Sequence, residues 1–246
     1  MENHSFDHII GSSDAPYINQ LAAQHGLAAS FYAEAHPSLP NYIAMTSGST
    51  QGIANDDDPS AHPLDVPSIF SLLPGGASQS LLESMPGNCS RSDSGEYAVR
   101  HNPQAYYVNL APSDCAKYNV PLTDPPDLSA RFTFITPNLI HDMHDGTVAD
   151  GDTWLSTFIP KLVSSAEYAG GRTAMFLTWD EDDSILGPGD NHIPTLVIAP
   201  SVPAGTRVTA RLDHYAMLRA TQEMLGVTPL LGAAATAADM RTPFNL

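Results

Sequence analysis

The sequence predicts an α/β fold, with a mostly parallel central sheet between two layers of helices. Three observations lead there. Apolar runs of strand length lie at 27–32, 131–136, 173–179 and 193–199. Stretches with helical spacing lie between them, and strands alternating with helices form a mostly parallel sheet covered on both faces. Polar clusters follow three of the runs directly, and in open α/β sheets ligands bind beyond the carboxyl ends of strands.

In chain order, Asp14 is placed to cap a helix carrying Pro16, Ile18, Leu21 and Ala22, which Gly26 stops. The run at 27–32 is a strand. His36-Pro37-Ser38-Leu39-Pro40-Asn41 is a turn entering a helix with Tyr42, Met45 and Gly48. Residues 50–130 read as long ordered loops or a cap, with one helix within 66–73, and loops of that length are usually functional. The run at 131–136 ends at Pro137-Asn138, as a strand should. Residues 152–168 are helical in pattern, with Leu155, Phe158, Leu162 and Ala166 on one face; Pro160 is expected to split that helix and Gly170-Gly171 to end it. After the strands at 173–179 and 193–199, Asp213 caps a last helix that Gly226 ends. There is no internal repeat.

Composition limits the function. Hydrophobic residues make up 42% and charged residues 15%, the balance of a globular chain. Ten Lys and Arg against 27 Asp and Glu give a net charge of −17. That balance opposes nucleic-acid binding, which needs basic patches, and adsorption to anionic membranes. No apolar run reaches the ~18 residues of a membrane span. A local metal site would still allow an anionic substrate, because the ion inverts the local field. Cys89 and Cys115 flank a Pro/Gly/Ser-rich loop and read either as two buried thiols or as a disulfide. A disulfide implies an oxidising, secreted or cell-envelope location.

The chemistry concentrates where the strands end. Ser38 follows the first strand, His141-Asp142-Met143-His144-Asp145 the second, and Asp180-Glu181-Asp182-Asp183 the third. Glu2 and Asn3, in Glu2-Asn3-His4-Ser5-Phe6-Asp7-His8, would join them at the same sheet edge if a strand preceded residue 1. Met1 is therefore expected to be internal to a longer chain.

These segments resemble the bacterial phosphoesterase family of the alkaline phosphatase superfamily, which holds acid phosphatases and phospholipases C. Glu2 to His8 resembles that family's opening motif. His36-Pro37-Ser38-Leu39-Pro40-Asn41-Tyr42 resembles its nucleophile segment, in which a Ser or Thr is followed three residues later by Asn. Thr136-Pro137-Asn138 with 141–145, and Thr178-Trp179-Asp180-Glu181, complete the pattern in the family's order. The closest subgroup is that of small acid phosphatases of the phosphatidylinositol-3-phosphatase type.

The resemblance implies one phosphoesterase domain over 1–246, an alkaline phosphatase-like three-layer sandwich with 50–130 as its loop-rich cap. It implies one divalent metal ion held by Glu2, Asn3, Asp180 and Glu181, hard oxygen donors suited to Ca²⁺, Mg²⁺ or a similar ion. Ser38 matches the nucleophile and a further metal contact, and Asn41 the amide that holds a phosphoryl oxygen. His101 and His144 match histidines that contact phosphate and help the leaving group, with His141 as a third. The implied substrate is a small phosphate monoester or a phosphoinositide headgroup, and the reaction passes through a phosphoserine. A phospholipase C-type phosphodiesterase and a catalytically inactive metal-binding domain are the alternatives.

Taken singly, the same residues have plainer readings. Ser38 alone would be a helix cap, and 180–183 a solvated acidic turn. Asp182 and Asp183 are expected to face solvent, His192 to be structural and His214 to be a packing residue. His4 and His8 receive no role, although His4 borders the metal pair.

Overall fold

A computed structural model describes residues 1–184 and 190–246. The helices are α1 (Phe6–Ile9), α2 (Pro16–Gln24), α3 (Ser38–Ser47), α4 (Ile69–Leu72), α5 (Pro112–Tyr118), α6 (Val148–Val163), α7 (Ala166–Ala169), α8 (His214–Leu225) and α9 (Arg241–Phe244). The strands are β1 (Gly26–Tyr32), β2 (Ser78–Leu82), β3 (Asn119–Pro121), β4 (Phe132–Thr136), β5 (Met175–Thr178), β6 (His192–Ile198), β7 (Arg207–Val208) and β8 (Leu212–Asp213).

The α/β class holds, but the expectation of a mostly parallel main sheet is corrected. The main sheet runs β5-β6-β1-β7, with β8 also on β1. β6 is antiparallel to both β5 and β1, while β7 and β8 are parallel to β1. The sheet is therefore mixed. Among the described residues between β5 and β6, 179–184 and 190–191, there is no helix, whereas a parallel return usually crosses over through one. The second sheet, β3-β2-β4, is parallel throughout.

The first residues bring the two sheets together. Met1 N donates to Thr178 O at 3.1 Å, and Asp180 N donates to Met1 O at 3.0 Å, so residue 1 lies beside the end of β5. Glu2 N donates to Asp142 O at 2.8 Å, just beyond β4. Asn3 then turns the chain toward α1 with φ 52, a left-handed conformation that Asn tolerates better than most residues.

Local details depart from the sequence reading in instructive ways. Asp14 does not cap α2. Asp152, buried in α6, accepts from Tyr17 N at 3.1 Å and Ile18 N at 2.8 Å, capping that helix from across the core. Pro160 does not split α6, which starts with a capping box between Thr147 and Asp150 and runs through it. The helix expected within 66–73 is confined to α4, and the region read as loops contributes β2 and β3. Asp213 does cap α8, accepting from Ala216 N at 2.8 Å, and Gly226 ends it with φ 64.

One apolar core gathers β1 and β6 with α2, α6 and part of α8, around Trp179, Phe31 and Ile198. A second gathers the far face of α3 with α4 and the 97–107 segment, around Leu39, Phe70 and Tyr106. Cys89 and Cys115 form a disulfide. No helix among the described residues is long and apolar enough to cross a membrane.

Candidate active site

Ser38 is the first residue of α3, six positions after β1 ends, and is buried. The loop that delivers it is held by Asn41. Asn41 Oδ1 accepts from Glu34 N at 2.9 Å and Ala35 N at 3.0 Å, while Nδ2 donates to Ala35 O at 2.7 Å and Pro37 O at 3.4 Å. Asp56 Oδ1 accepts from Leu39 N at 2.9 Å, satisfying one of the N–H groups that a helix start leaves open.

Around Ser38 the three strand ends converge with the first residues of the chain. Ser38 Oγ donates to Glu2 Oε2 at 3.0 Å and to Glu181 Oε1 at 3.3 Å. The Tyr42 hydroxyl, one turn along α3, donates to Glu2 Oε1. Asn3 N donates to Asp180 Oδ1 at 3.3 Å. His101 Nε2 lies 3.3 Å from Glu2 Oε2, and His101 Nδ1 lies 3.2 Å from Asp142 Oδ2. The Tyr42 and His101 rings stack at 5.2 Å. His36 Nδ1 contacts Glu181 Oε2. Glu2, Asn3, Ser38, His101, Asp180 and Glu181 thus come together, although the chain separates Asn3 from Asp180 by 177 positions.

This gathering is electrostatically incomplete. Burial first, then the neighbouring Asp180 and Asp142 carboxylates, hold Glu2 well above the usual carboxylate range. Burial raises Asp180 as well. Burial and Asp180 push Glu181 up to about 9. Burial also lowers the proton affinity of His101, against the pull of Asp142. Asp180 Oδ2 and Asn3 Oδ1 are buried without a hydrogen-bond partner among the described residues. Buried polar groups are normally paired, and packed buried carboxylates are expensive without a counter-charge. Oxygen donors from Glu2, Asn3, Ser38, Asp180 and Glu181 fit a hard divalent cation, because such an ion would satisfy both orphaned oxygens and neutralise the carboxylates.

The other sequence candidates lie in different places. His144 is half-buried at the edge of the cluster, its ring 5.9 Å from that of His101. Its Nδ1 contacts Asp145 Oδ1 at 2.7 Å, and its Nε2 lies 3.1 Å from Arg100 Nη2. His141 is not brought to Ser38. It hydrogen-bonds Glu83 at 2.9 Å and stacks on Trp154 at 5.7 Å. Asp182 is buried rather than solvent-facing, and accepts from Ser184 N at 2.8 Å, whereas Asp183 is exposed. His192 stacks between Phe6 and Tyr32. His214 is fully buried and hydrogen-bonds Trp179 O at 3.1 Å, and burial lowers it to about 4.

Four site residues escaped sequence reasoning: Asp142, Tyr42, His36 and Arg100. Asp142 carried a signal, since it sits between two candidate histidines and a carboxylate commonly orients an imidazole. Tyr42 read as a core aromatic on α3. Arg100, beside His101, is the cation at this edge, 4.0 Å from Asp56.

Comparisons with known proteins agree with this architecture. Residues 12–228 match the Phosphoesterase family. The phosphatidylinositol-3-phosphatase of Mycobacterium tuberculosis is 33% identical over 96% of this chain and 78% of its own length. An acid phosphatase of Aspergillus fumigatus is 29% identical over 86% of this chain, which spans only 51% of that enzyme. A phosphonate monoester hydrolase from Silicibacter pomeroyi shares the fold at a TM-score of 0.61 and 12% identity, over 99% of this chain and 75% of its own. An alkaline phosphatase superfamily protein from Vibrio parahaemolyticus does so at 0.60 and 16%, over 94% and 66%. With its strand-end cluster, its match over 12–228 and these relatives, the chain belongs to the Phosphoesterase family, a family of phosphoric ester hydrolases, and shares the fold of solved alkaline phosphatase superfamily structures.

Proposed function

We propose that the chain is a divalent-metal-dependent phosphomonoesterase that works through a phosphoserine on Ser38. The observation that carries this reading is the position of the Ser38 hydroxyl. It donates to Glu2 and Glu181 at the start of α3, beside two buried oxygens, Asn3 Oδ1 and Asp180 Oδ2, that have no partner among the described residues. A bound cation would supply Lewis-acid charge for the phosphoryl oxygens and favour the ionised serine.

The chain's own residues account for the remaining steps. Ser38 Oγ gives its proton to one of the carboxylates it touches and attacks phosphorus in line, and the bond to the leaving alcohol breaks. His144 protonates the departing oxygen, because it reaches the edge of the site, whereas His101 is buried and fixed by Asp142. His101 positions Glu2. Arg100 offers a cation to the phosphoryl group at that same edge. Water then attacks the phosphoserine, inorganic phosphate leaves, and Ser38 recovers its proton. Positioning and electrostatic stabilisation carry most of such a reaction.

Asn41 holds the 34–37 loop and hence Ser38. Contact with a phosphoryl oxygen would require one of its four hydrogen bonds to open. His141 takes no step and braces Glu83 and Trp154. The relative that acts on a phosphatidylinositol phosphate supports a phosphoinositide headgroup as substrate, and the disulfide supports a secreted or cell-envelope location.

The test is turnover of p-nitrophenyl phosphate against bis-p-nitrophenyl phosphate by the metal-loaded protein, before and after chelation. Preferential hydrolysis of the monoester, lost on chelation and restored by a divalent ion, is the expected result. Preference for the diester, or activity indifferent to chelation, contradicts the proposal.

A further inference from the structure

We propose that His4, His8 and Asp183 form a second metal site, separate from the oxygen-rich cluster around Ser38 and suited to a borderline transition-metal ion such as Zn²⁺. One ligand atom from each of the three residues lies within 4.8 Å of the other two. His8 lies in α1 (Phe6–Ile9), and His4 lies two residues before that helix begins, ahead of the extended N-cap Ser5. Their rings are 6.4 Å apart and steeply inclined, so that they flank a common point. Asp183 arrives from the loop after β5, and its carboxylate contacts His8 Nδ1.

A surface ion pair between His8 and Asp183 would explain that contact alone. It leaves His4 unexplained. Both ring nitrogens of His4 are shielded from solvent, and neither makes a hydrogen bond of good geometry among the described residues, although the Met143 backbone lies close to the ring. An imidazole with neither nitrogen used is costly, and a metal at the common point uses one of them. His8 and Asp183 are exposed, with 60% and 35% of their side chains accessible. The site would therefore stay open to water, giving three protein ligands and a solvent position.

The donor chemistry separates this site from the first. Two imidazoles and one carboxylate favour Zn²⁺, Co²⁺ or a similar ion, whereas an all-oxygen set favours Ca²⁺ or Mg²⁺. The placement also gives the site a consequence. His4 follows Asn3 directly, and Asp183 follows Asp180, Glu181 and Asp182. An ion bridging them would tether the two segments that meet at the candidate active site. This inference does not rest on the proposed catalysis, since the site would bind its ion whether or not Ser38 is a nucleophile.

The experiment is a Co²⁺ titration of the full chain in saturating Ca²⁺, read by visible absorption and by equilibrium dialysis. Tetrahedral, imidazole-bound Co²⁺ absorbs far more strongly than Co²⁺ held by six oxygens. One equivalent of strongly absorbing Co²⁺ is expected, with affinity falling at least ~10-fold in His8→Ala and in Asp183→Ala. Both positions are exposed, so folding should survive, and circular dichroism checks it. Ca²⁺ retained at full stoichiometry beside the bound Co²⁺ would establish two separate sites. The proposal is overturned if Co²⁺ binds only by displacing Ca²⁺, if it binds without the tetrahedral spectrum, or if folded His8→Ala and Asp183→Ala bind it like the parent.

Discussion

Of two buried polar clusters, only one is complete. Asn102 and Asn119 are both fully buried, and each donates to the other, at 2.9 and 2.7 Å. Asn102 also donates to the Tyr97 hydroxyl at 2.9 Å. That cluster needs nothing from outside. Glu2, Asn3, Asp180 and Glu181 are also buried or half-buried, yet two of their oxygens are orphaned and all three carboxyls are held above the usual range. A closed polar network fixes a fold, whereas an open one of like charges costs stability until a ligand arrives. On the proposed reading, this difference separates a structural cluster from a functional one.

The largest effect should come from the serine at the open cluster. Ser38→Ala is expected to lower turnover of p-nitrophenyl phosphate on the order of 10⁴-fold, with the circular dichroism spectrum and metal binding retained. Asn102→Ala should leave the turnover of the remaining folded protein near the parent value.

Metal affinity gives the next largest contrast. Glu2→Ala and Asp180→Ala should each weaken divalent-ion binding at least ~10-fold and by similar factors, as measured by calorimetric titration. Asn119→Ala should leave that affinity unchanged. A large difference between the two carboxylate variants would break the picture of a shared site.

Stability separates the clusters in the opposite sense. Asn119→Ala leaves a buried amide unpaired and should cost about 1–3 kcal/mol in urea unfolding, with or without metal. Asp180→Asn in the chelated protein removes a repelling buried charge and should cost nothing or stabilise it slightly. A penalty for Asp180→Asn as large as that for Asn119→Ala would show that the open cluster is internally balanced after all.

The smallest and most diagnostic effect is the pH dependence of the metal-free protein. Glu181 has a folded value near 9 against 4.5 for an ordinary glutamate. The folded state therefore holds a proton that the unfolded chain releases. The stability this contributes is fully present below about 4.5 and is lost as pH rises toward 9. Glu2 and Asp180 shift in the same direction. The melting temperature after chelation should fall across that window. Added divalent ion should flatten the curve, because ligation requires the deprotonated carboxylates. A chelated protein whose stability rises with pH there would contradict the assignment.

Much of this was legible in the sequence because the strands that position the site are apolar. The runs at 27–32, 131–136, 173–179 and 193–199 became β1, β4, β5 and β6, and the polar segments after three of them did meet. β2 was hidden because Ser78, Gln79 and Ser80 are polar yet fully enclosed, so neither alternation nor an apolar run announces it. Strand direction was hidden too, since no residue within β5 or β6 specifies it. Side chains that act across long separations left the least trace. Asp152 caps α2 from 134 and 135 positions away, and Tyr42 reaches Glu2 across 40. Asp182 read as the tail of an acidic turn and is instead buried, because the loop folds back to pair its backbone with Asn191 at 2.8 Å. His4 and His8, unassigned in the sequence, gain meaning only when Asp183 is seen beside them.

In the proposed reaction the open carboxylate cluster activates Ser38 toward phosphorus. Acid-quenching the metal-loaded protein during turnover of p-nitrophenyl phosphate, followed by peptide mass mapping, tests it most directly. One added phosphoryl group on Ser38, absent from Ser38→Ala and absent after chelation, is the expected result. A phosphoryl group on another residue, or the same labelling without metal, would contradict it.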